Sequence, residues 1–202
     1  LGLARPTSGR ARLFGLDVVA DAPALHRRLA YVPSVAALWP GLTGEETLHL
    51  LGELHGSVDT AYRDELVARF ELDVTKRNRA YSHGNRQKVL LVAGFASRAD
   101  LLLLDEPTTG LDPVSRAALW REVRLLNGDG TTVFLTTQYL EEAEQLAGRV
   151  GIIDNGRIVA EGTPDELKAR IGQPALHVQL TDPGRVDEAR SLLAPLGACD
   201  NG

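Results

Sequence analysis

The chain has 202 residues, a formal net charge of −5 and a hydrophobic content of 44%. That supports one good-sized core with room for an appendage, and the acidic balance argues against a grip on nucleic acid as the main function. A single cysteine, Cys199, cannot form an internal disulfide and fits a reducing compartment. No apolar run approaches the roughly 18 residues that span a bilayer, and the start shows no secretory pattern. Any membrane connection is therefore expected to run through a partner. The chain contains no methionine and begins Leu1-Gly2-Leu3. An N-terminal truncation is expected from that, the alternative being a rare start codon translated literally as leucine.

Residues 10–15 and 29–33 read as short strands joined by a polar helical stretch. Thr43-Gly44-Glu45-Glu46 has the spacing of a capping box and opens a helix with Leu48, Leu51 and Leu54 on one face. Asp59 can cap a second helix through about Phe70. Ser82 precedes a third, from about Asn85 to Ala96. This helical block interrupts an α/β pattern that resumes at Leu101–Leu104, four leucines suited to a strand buried on both faces. Asp112-Pro113 places a capping residue before proline at the first helical position, and that helix reaches about Asn127. Thr132–Thr136 is a β-branched strand and Tyr139–Ala147 an acidic helix. Val150–Asp154 and Arg157–Ala160 flank Asn155-Gly156, a hairpin signal. Thr163-Pro164-Asp165-Glu166 opens a last helix, closed by Gly172. Beyond Gln173, a strand over Ala175–Leu180 and a helix over Arg185–Leu193 are expected.

Four stations carry chemistry. The leucine run ends in Asp105-Glu106-Pro107, which delivers carboxylates to the C-terminal edge of a parallel sheet, where α/β proteins bind ligands. The alternative is a core strand with a solvated acidic end. Tyr81-Ser82-His83-Gly84-Asn85-Arg86-Gln87 opens a helix whose free N–H groups suit a phosphate, or is an ordinary serine-capped helix. Thr108-Thr109-Gly110-Leu111-Asp112 comes directly after the acids and reads alone as a turn and an N-cap. Thr136-Thr137-Gln138 ends the next strand and brings a polar side chain to the same edge as Glu106.

Taken in order, these stations resemble the ATPase subunits of ATP-binding-cassette (ABC) transporters over about residues 1–172. Ser82–Asn85 is similar to the family's signature loop, Asp105-Glu106 to its Walker B strand, Gly110–Asp112 to its D-loop, and Thr136-Thr137-Gln138 to its switch region. Tyr31-Val32-Pro33-Ser34 resembles the Q-loop, and Leu38-Trp39-Pro40 the segment just past it. The resemblance implies an α/β P-loop NTPase core, incomplete, with an inserted helical subdomain and the start of a C-terminal extension. The expected organisation is a partial ATPase core over 1–40, a helical signature subdomain over 41–98, the rest of the core over 99–172, and a truncated extension over 173–202. It implies ATP and Mg²⁺, with Asp105 on the metal, Glu106 as the base for water and Gln138 beside it. Ser82, Gly84 and Asn85 would contact nucleotide held by a second ATPase subunit, and Asp112 would couple the two sites. A membrane permease is the other implied partner, with this chain peripheral on the cytoplasmic face and no nucleic acid involved. Arginine in excess of lysine, with abundant alanine, leucine and glycine, fits a GC-rich bacterial gene.

The sequence departs from the family pattern in four places. No G-x-x-x-x-G-K-[ST] occurs in it, and Leu1–Pro6 looks like the end of the helix that should come after that loop. Without the loop's N–H groups and lysine the phosphates lose their main cradle, so the chain alone is expected to bind ATP poorly. The Q-loop glutamine is Ser34, which reaches less far. The switch histidine is Gln138, which donates a hydrogen bond but cannot titrate near neutral pH. Gln138 with Tyr139-Leu140-Glu141-Glu142-Ala143 after it resembles daunorubicin-resistance-type drug exporters. His83 and Asn85 stand where the family usually has glycine and glutamine. The leading expectation is the ATPase subunit of an efflux transporter for a small hydrophobic compound. The alternatives are a non-catalytic partner that lends its signature loop to an intact subunit, and a soluble ABC ATPase of DNA repair or translation. Trp39 reads as part of a patch that docks the membrane subunit, or as a buried core residue.

Overall fold

A computed structural model describes residues 1–2, 4–56, 58–171 and 191–192. The chain divides into two compact units, Leu1–Val150 and Gly151–Gly202. In the first, strands β3 (Leu29–Val32), β4 (Leu101–Asp105) and β5 (Thr132–Thr136) form a parallel sheet with β4 central. Register pairs Val32 with Leu104 and Asp105 with Thr136. The C-terminal ends of all three strands therefore meet at one edge, which receives Ser34, Asp105-Glu106 and Thr136-Thr137-Gln138.

The helices between β3 and β4 begin where their caps dictate. Helix α2 (Gly44–His55) opens on a complete capping box: Glu46 N–H donates to Thr43 Oγ1 at 3.2 Å, and Thr43 N–H to Glu46 Oε2 at 2.7 Å. Asp59 caps α3 (Thr60–Arg69) and Ser82 caps α4 (His83–Ala96). Leu48 is buried as expected, but Leu54 is 70% exposed, because the buried face of α2 is completed by Gly44 and Thr47 instead. Helix α4 carries Val89, Leu91, Val92 and Phe95 into a core shared with Leu66 and Phe70 of α3 and Leu102 and Leu104 of β4. It lies so close to β3 that a Cβ on Gly94 would sit 2.9 Å from Val32 Cγ2. Helices α5 (Pro113–Gly128) and α6 (Leu140–Leu146) come after β4 and β5.

Two expectations near the start are corrected. Residues 10–15 are not one strand: β1 (Arg12–Leu13) and β2 (Leu16–Asp17) form an antiparallel hairpin. Phe14 and Gly15 both have positive φ, 52° and 79°, the backbone of a tight turn whose twist matches paired strands. Nor are residues 1–6, so far as described, helical; Pro6 steers its predecessor away from helix, and so short a segment cannot sustain one. A short helix α1 (Ala22–His26) joins β2 to β3.

In the second unit, β6 (Val150–Asp154) and β7 (Arg157–Gly162) form the hairpin expected around Asn155-Gly156, both with positive φ. Helix α7 (Pro164–Ile171) opens on the second capping box, Glu166 N–H to Thr163 Oγ1 at 3.2 Å and Thr163 N–H to Glu166 Oε2 at 2.9 Å. The closing Gly172 and the elements expected over 175–180 and 185–193 lie outside the described residues, apart from Ser191 and Leu192, which are helical. Among the described residues no helix is long and apolar enough to cross a membrane.

Candidate functional site

Two clusters collect the residues singled out by sequence. The first is the edge where β3, β4 and β5 end. Asp105 is half-buried, and its Oδ1 accepts from Thr136 Oγ1 at 2.5 Å. Its Oδ2 accepts from Ser34 Oγ and Tyr31 Oη, each at 3.4 Å. Burial, and then the Asp105 charge, raise the Tyr31 phenol above its ordinary pKa, so its proton stays on the oxygen that faces the carboxylate. Glu106 has φ 46°, a left-handed backbone that a long side chain rarely adopts. Its N–H is held by both Thr136 O at 3.0 Å and Thr136 Oγ1 at 3.1 Å. The bend turns the side chain to Gln138, whose Nε2 donates to Glu106 Oε1 at 2.7 Å, and to Thr109, whose Oγ1 donates to Oε2 at 3.4 Å.

The second cluster lies where α4 and α5 begin. Ser82 Oγ accepts from Asn85 N–H at 3.2 Å, which leaves the hydroxyl proton available to another acceptor. Gly84 and Gly110 press together: a Cβ on Gly84 would sit 2.4 Å from Gly110 O, and one on Gly110 2.4 Å from His83 Cδ2. Gly84 is thus demanded by packing inside this chain, a reason that sequence spacing alone did not supply. Asp112 caps α5 through Ser115 N–H at 2.9 Å, and its other oxygen accepts from Ser115 Oγ at 2.6 Å. These bonds, with help from Lys88 at 3.6 Å, push its pKa down to about 2. Lys88 also donates to Phe70 O at 3.1 Å, so one buried ammonium joins α3, α4 and the start of α5.

Sequence reasoning missed the polar layer behind the edge. Glu142 of α6 is fully buried. Its Oε2 accepts from Thr137 Oγ1 at 2.5 Å and Thr108 Oγ1 at 3.2 Å, and its Oε1 from Trp120 Nε1 at 3.3 Å. The strand-end spacing brought out Gln138 but not this carboxylate, which reads as surface acid in an acidic helix.

The edge offers a hard cation one carboxylate, Asp105, flanked by the hydroxyls of Ser34 and Thr136. No group of three or more His, Cys, Asp or Glu that could hold a metal occurs among the described residues. Such a donor set fits Mg²⁺, which binds through one or two carboxylates and leaves its remaining positions to water and phosphate. Chemically, the arrangement presents two adjacent carboxylates, one flanked by hydroxyls and the other held by an amide and a hydroxyl.

The sequence profile of the ABC transporter family matches residues 1–109. The chain is 46% identical over 200 residues to a daunorubicin resistance ATP-binding protein of Streptomyces coeruleorubidus, covering 96% of this chain and 63% of that protein. It is 44% identical over 201 residues to a daunorubicin/doxorubicin resistance ATP-binding protein of Streptomyces peucetius, covering 96% and 61%. The chain therefore spans less than two thirds of the length of these relatives. Among solved structures, an ATP-binding subunit of an ABC transporter superposes with a TM-score of 0.77 at 28% identity, covering 96% of this chain and 79% of that one. An ATP-binding cassette solved as a dimer in a post-hydrolysis state with ADP and Pi superposes at 0.68 and 22% identity, covering 81% and 76%, and shows the same fold. With the P-loop NTPase fold, the ordered stations and the family profile in agreement, the chain belongs to the ABC transporter family, on its ATP-binding side.

Proposed function

We propose that this chain provides the catalytic edge and signature corner of an ATP-hydrolysing subunit that drives efflux of a small hydrophobic compound through a separate membrane permease. The observation that carries the reading is the Asp105-Glu106 pair. The first carboxylate is shared with Ser34 and Thr136, and the second is aimed by Gln138 and Thr109. In this role Glu106 accepts a proton from the water that attacks the γ-phosphate, and positioning supplies most of the rate. Gln138 orients Glu106 by donation and takes no proton itself. Mg²⁺, when bound at Asp105 with the nucleotide, neutralises phosphate charge. Ser82, with the N–H groups of Gly84 and Asn85, meets nucleotide held by a second ATPase subunit. Asp112, ionised throughout the neutral range, lies at that junction. The names of the relatives, daunorubicin and doxorubicin resistance proteins, support the choice of cargo class.

The same proposal takes residues 41–98 as the helical subdomain that faces the permease, with the chain peripheral on the cytoplasmic face. Trp39 is 49% exposed and Val35 70%. Beside them a hollow of about 260 Å³ is lined by Ala36, Leu38, Pro40, Asn78, Arg79 and Arg86. An exposed aromatic in the segment that lines a mixed apolar and basic hollow suits a protein contact.

The test is to join a glycine-rich loop carrying Gly-Lys-[Ser/Thr] ahead of Leu1 and measure hydrolysis. Glu106→Gln is expected to lower turnover by about a thousandfold while nucleotide stays bound. Unchanged hydrolysis in that variant overturns the base assignment. Two sequence facts favour a second reading: Ser34 stands where the family has glutamine and Gln138 where it has histidine, while Ser82 and Gly84 of the signature corner are kept. If the chain as it stands raises the ATPase rate of an intact subunit, it is a partner that lends its signature loop.

A further inference from the structure

The structure assigns Glu142 as a positioning residue: its buried carboxylate fixes, through Thr137 and Thr108, the two loops whose side chains aim Glu106. This rests on the proposed role of Glu106 as the base. Glu106 has two side-chain donors, Gln138 and Thr109. Each is the immediate neighbour of a residue that donates to Glu142 Oε2, namely Thr137 and Thr108. One buried oxygen therefore secures both arms that hold the half-buried Glu106.

The arrangement is directional. Thr137 Oγ1 donates to Glu142 Oε2 at 2.5 Å, so its hydroxyl proton points to Glu142. The Thr137 lone pairs are then left to accept from Tyr139 N–H, at 3.0 Å. That bond bends the chain just past Gln138. A donor deserted in a buried site is costly.

Glu142 is also the middle rung of a ladder between α5 and α6. Arg116, Trp120 and Arg124 recur every four residues on α5, so they share one face. They meet Tyr139, Glu142 and Gln145, which recur every three. Arg116 lies 5.4 Å over the Tyr139 ring, Trp120 donates to Glu142, and Arg124 donates to Gln145 Oε1 at 2.7 Å. Helix α5 is capped by Asp112. The ladder thus ties the helix that starts at the signature corner to the loop that carries the switch amide, with Glu142 as its buried pin.

The experiment is residue-resolved amide hydrogen exchange on the 202-residue chain. In Glu142→Ala, the amides of Thr109, Leu111 and Tyr139, each hydrogen-bonded within these loops, are expected to exchange about tenfold faster. Leu102–Leu104 should be unchanged, and Glu142→Gln, which keeps an acceptor, should restore most of the protection. Equal acceleration throughout β4, or none in the loops, overturns the assignment. Should Glu142→Ala fail to fold, Thr137→Val cuts one arm only, so Tyr139 is expected to accelerate while Thr109 stays protected; any other pattern overturns it. In the subunit carrying its phosphate loop, Glu142→Ala should lower kcat about tenfold at constant KM and Glu142→Gln should restore most of it; an unchanged kcat in Glu142→Ala counts against the assignment. Exchange needs no nucleotide, so its failure is distinct from a failure of the Glu106 assignment, which Glu106→Gln reads.

Discussion

Helix α5 buries a glutamate against α3 on one side and grips a second, Glu142 of α6, on another, and the two seams solve the same problem differently. Between α3 and α5, Glu122 is fully buried and meets the Arg69 guanidinium together with Tyr62 Oη at 2.7 Å. Arg98 stacks 3.8 Å over the Tyr62 ring and pairs with Asp59 at 3.3 Å. Between α5 and α6, Glu142 is equally buried but meets two hydroxyls and an indole. A cation fastens the first seam, which holds the helical block to the core. Neutral donors taken from working loops fasten the second. The contrast teaches that a buried carboxylate serves as a clamp when its partner is a charge on a rigid helix. It serves as a setting device when its partners belong to loops that must be aimed.

The largest test of that contrast breaks the clamp. Arg69→Leu removes the nearer of the two cations beside Glu122, Arg121 Nε lying at 3.7 Å, and is expected to cost on the order of 3 kcal/mol, read as a lowered denaturation midpoint with the slope unchanged. A loss below about 1 kcal/mol would mean that Arg69, a quarter exposed, contributes no more than a surface pair. A matched pair sharpens the comparison. Tyr62→Phe removes one neutral donor from the clamp and keeps the ring under Arg98; Thr137→Val removes one from the setting device. Each is expected to cost about 1 kcal/mol, but only Thr137→Val should disturb the loops around Glu106. Equal loop exchange in the two variants would erase the distinction. The smallest effect concerns Asp112, which caps the helix both seams share. Its pKa falls from 3.8 unfolded to about 2 folded, chiefly through Ser115. The folded state therefore binds its proton less readily. This stabilisation is complete above about pH 4 and disappears as pH falls towards 2. Asp112→Asn keeps a capping oxygen and should flatten that part of the acid-unfolding profile, as tracked by circular dichroism.

Local chemistry made much of the fold legible. The capping boxes at Thr43 and Thr163, the caps at Asp59, Ser82 and Asp112, and the Asn155-Gly156 turn each specify their own geometry within a few residues. The strand β5 was readable end to end from its β-branched run. What escaped depended on partners distant in sequence. Phe14-Gly15 forms its turn with a bulky residue in a left-handed backbone, which residue preference disfavours and the Arg28 guanidinium, 3.8 Å over the Phe14 ring, helps to hold. Leu54 matched the apolar period of α2 but faces water. Asp105, Glu106 and Gln138 could be picked out because strand ends converge on one edge. Glu142 could not, since only the assembled packing of α5, α6 and two loops takes a carboxylate from an acidic helix out of solvent.

The left-handed backbone of Glu106 sets stability against chemistry at one codon. A single base change converts glutamate to glycine, and glycine occupies φ 46° without steric penalty. Any selection that rewards only a harder-to-melt chain therefore has a short path away from the proposed base, through relief of backbone strain. Thermostabilised variants of this protein raised without a functional screen are expected to accumulate Glu106→Gly, gaining melting temperature while discarding the carboxylate that the sheet edge, the switch amide and the buried layer are arranged to aim.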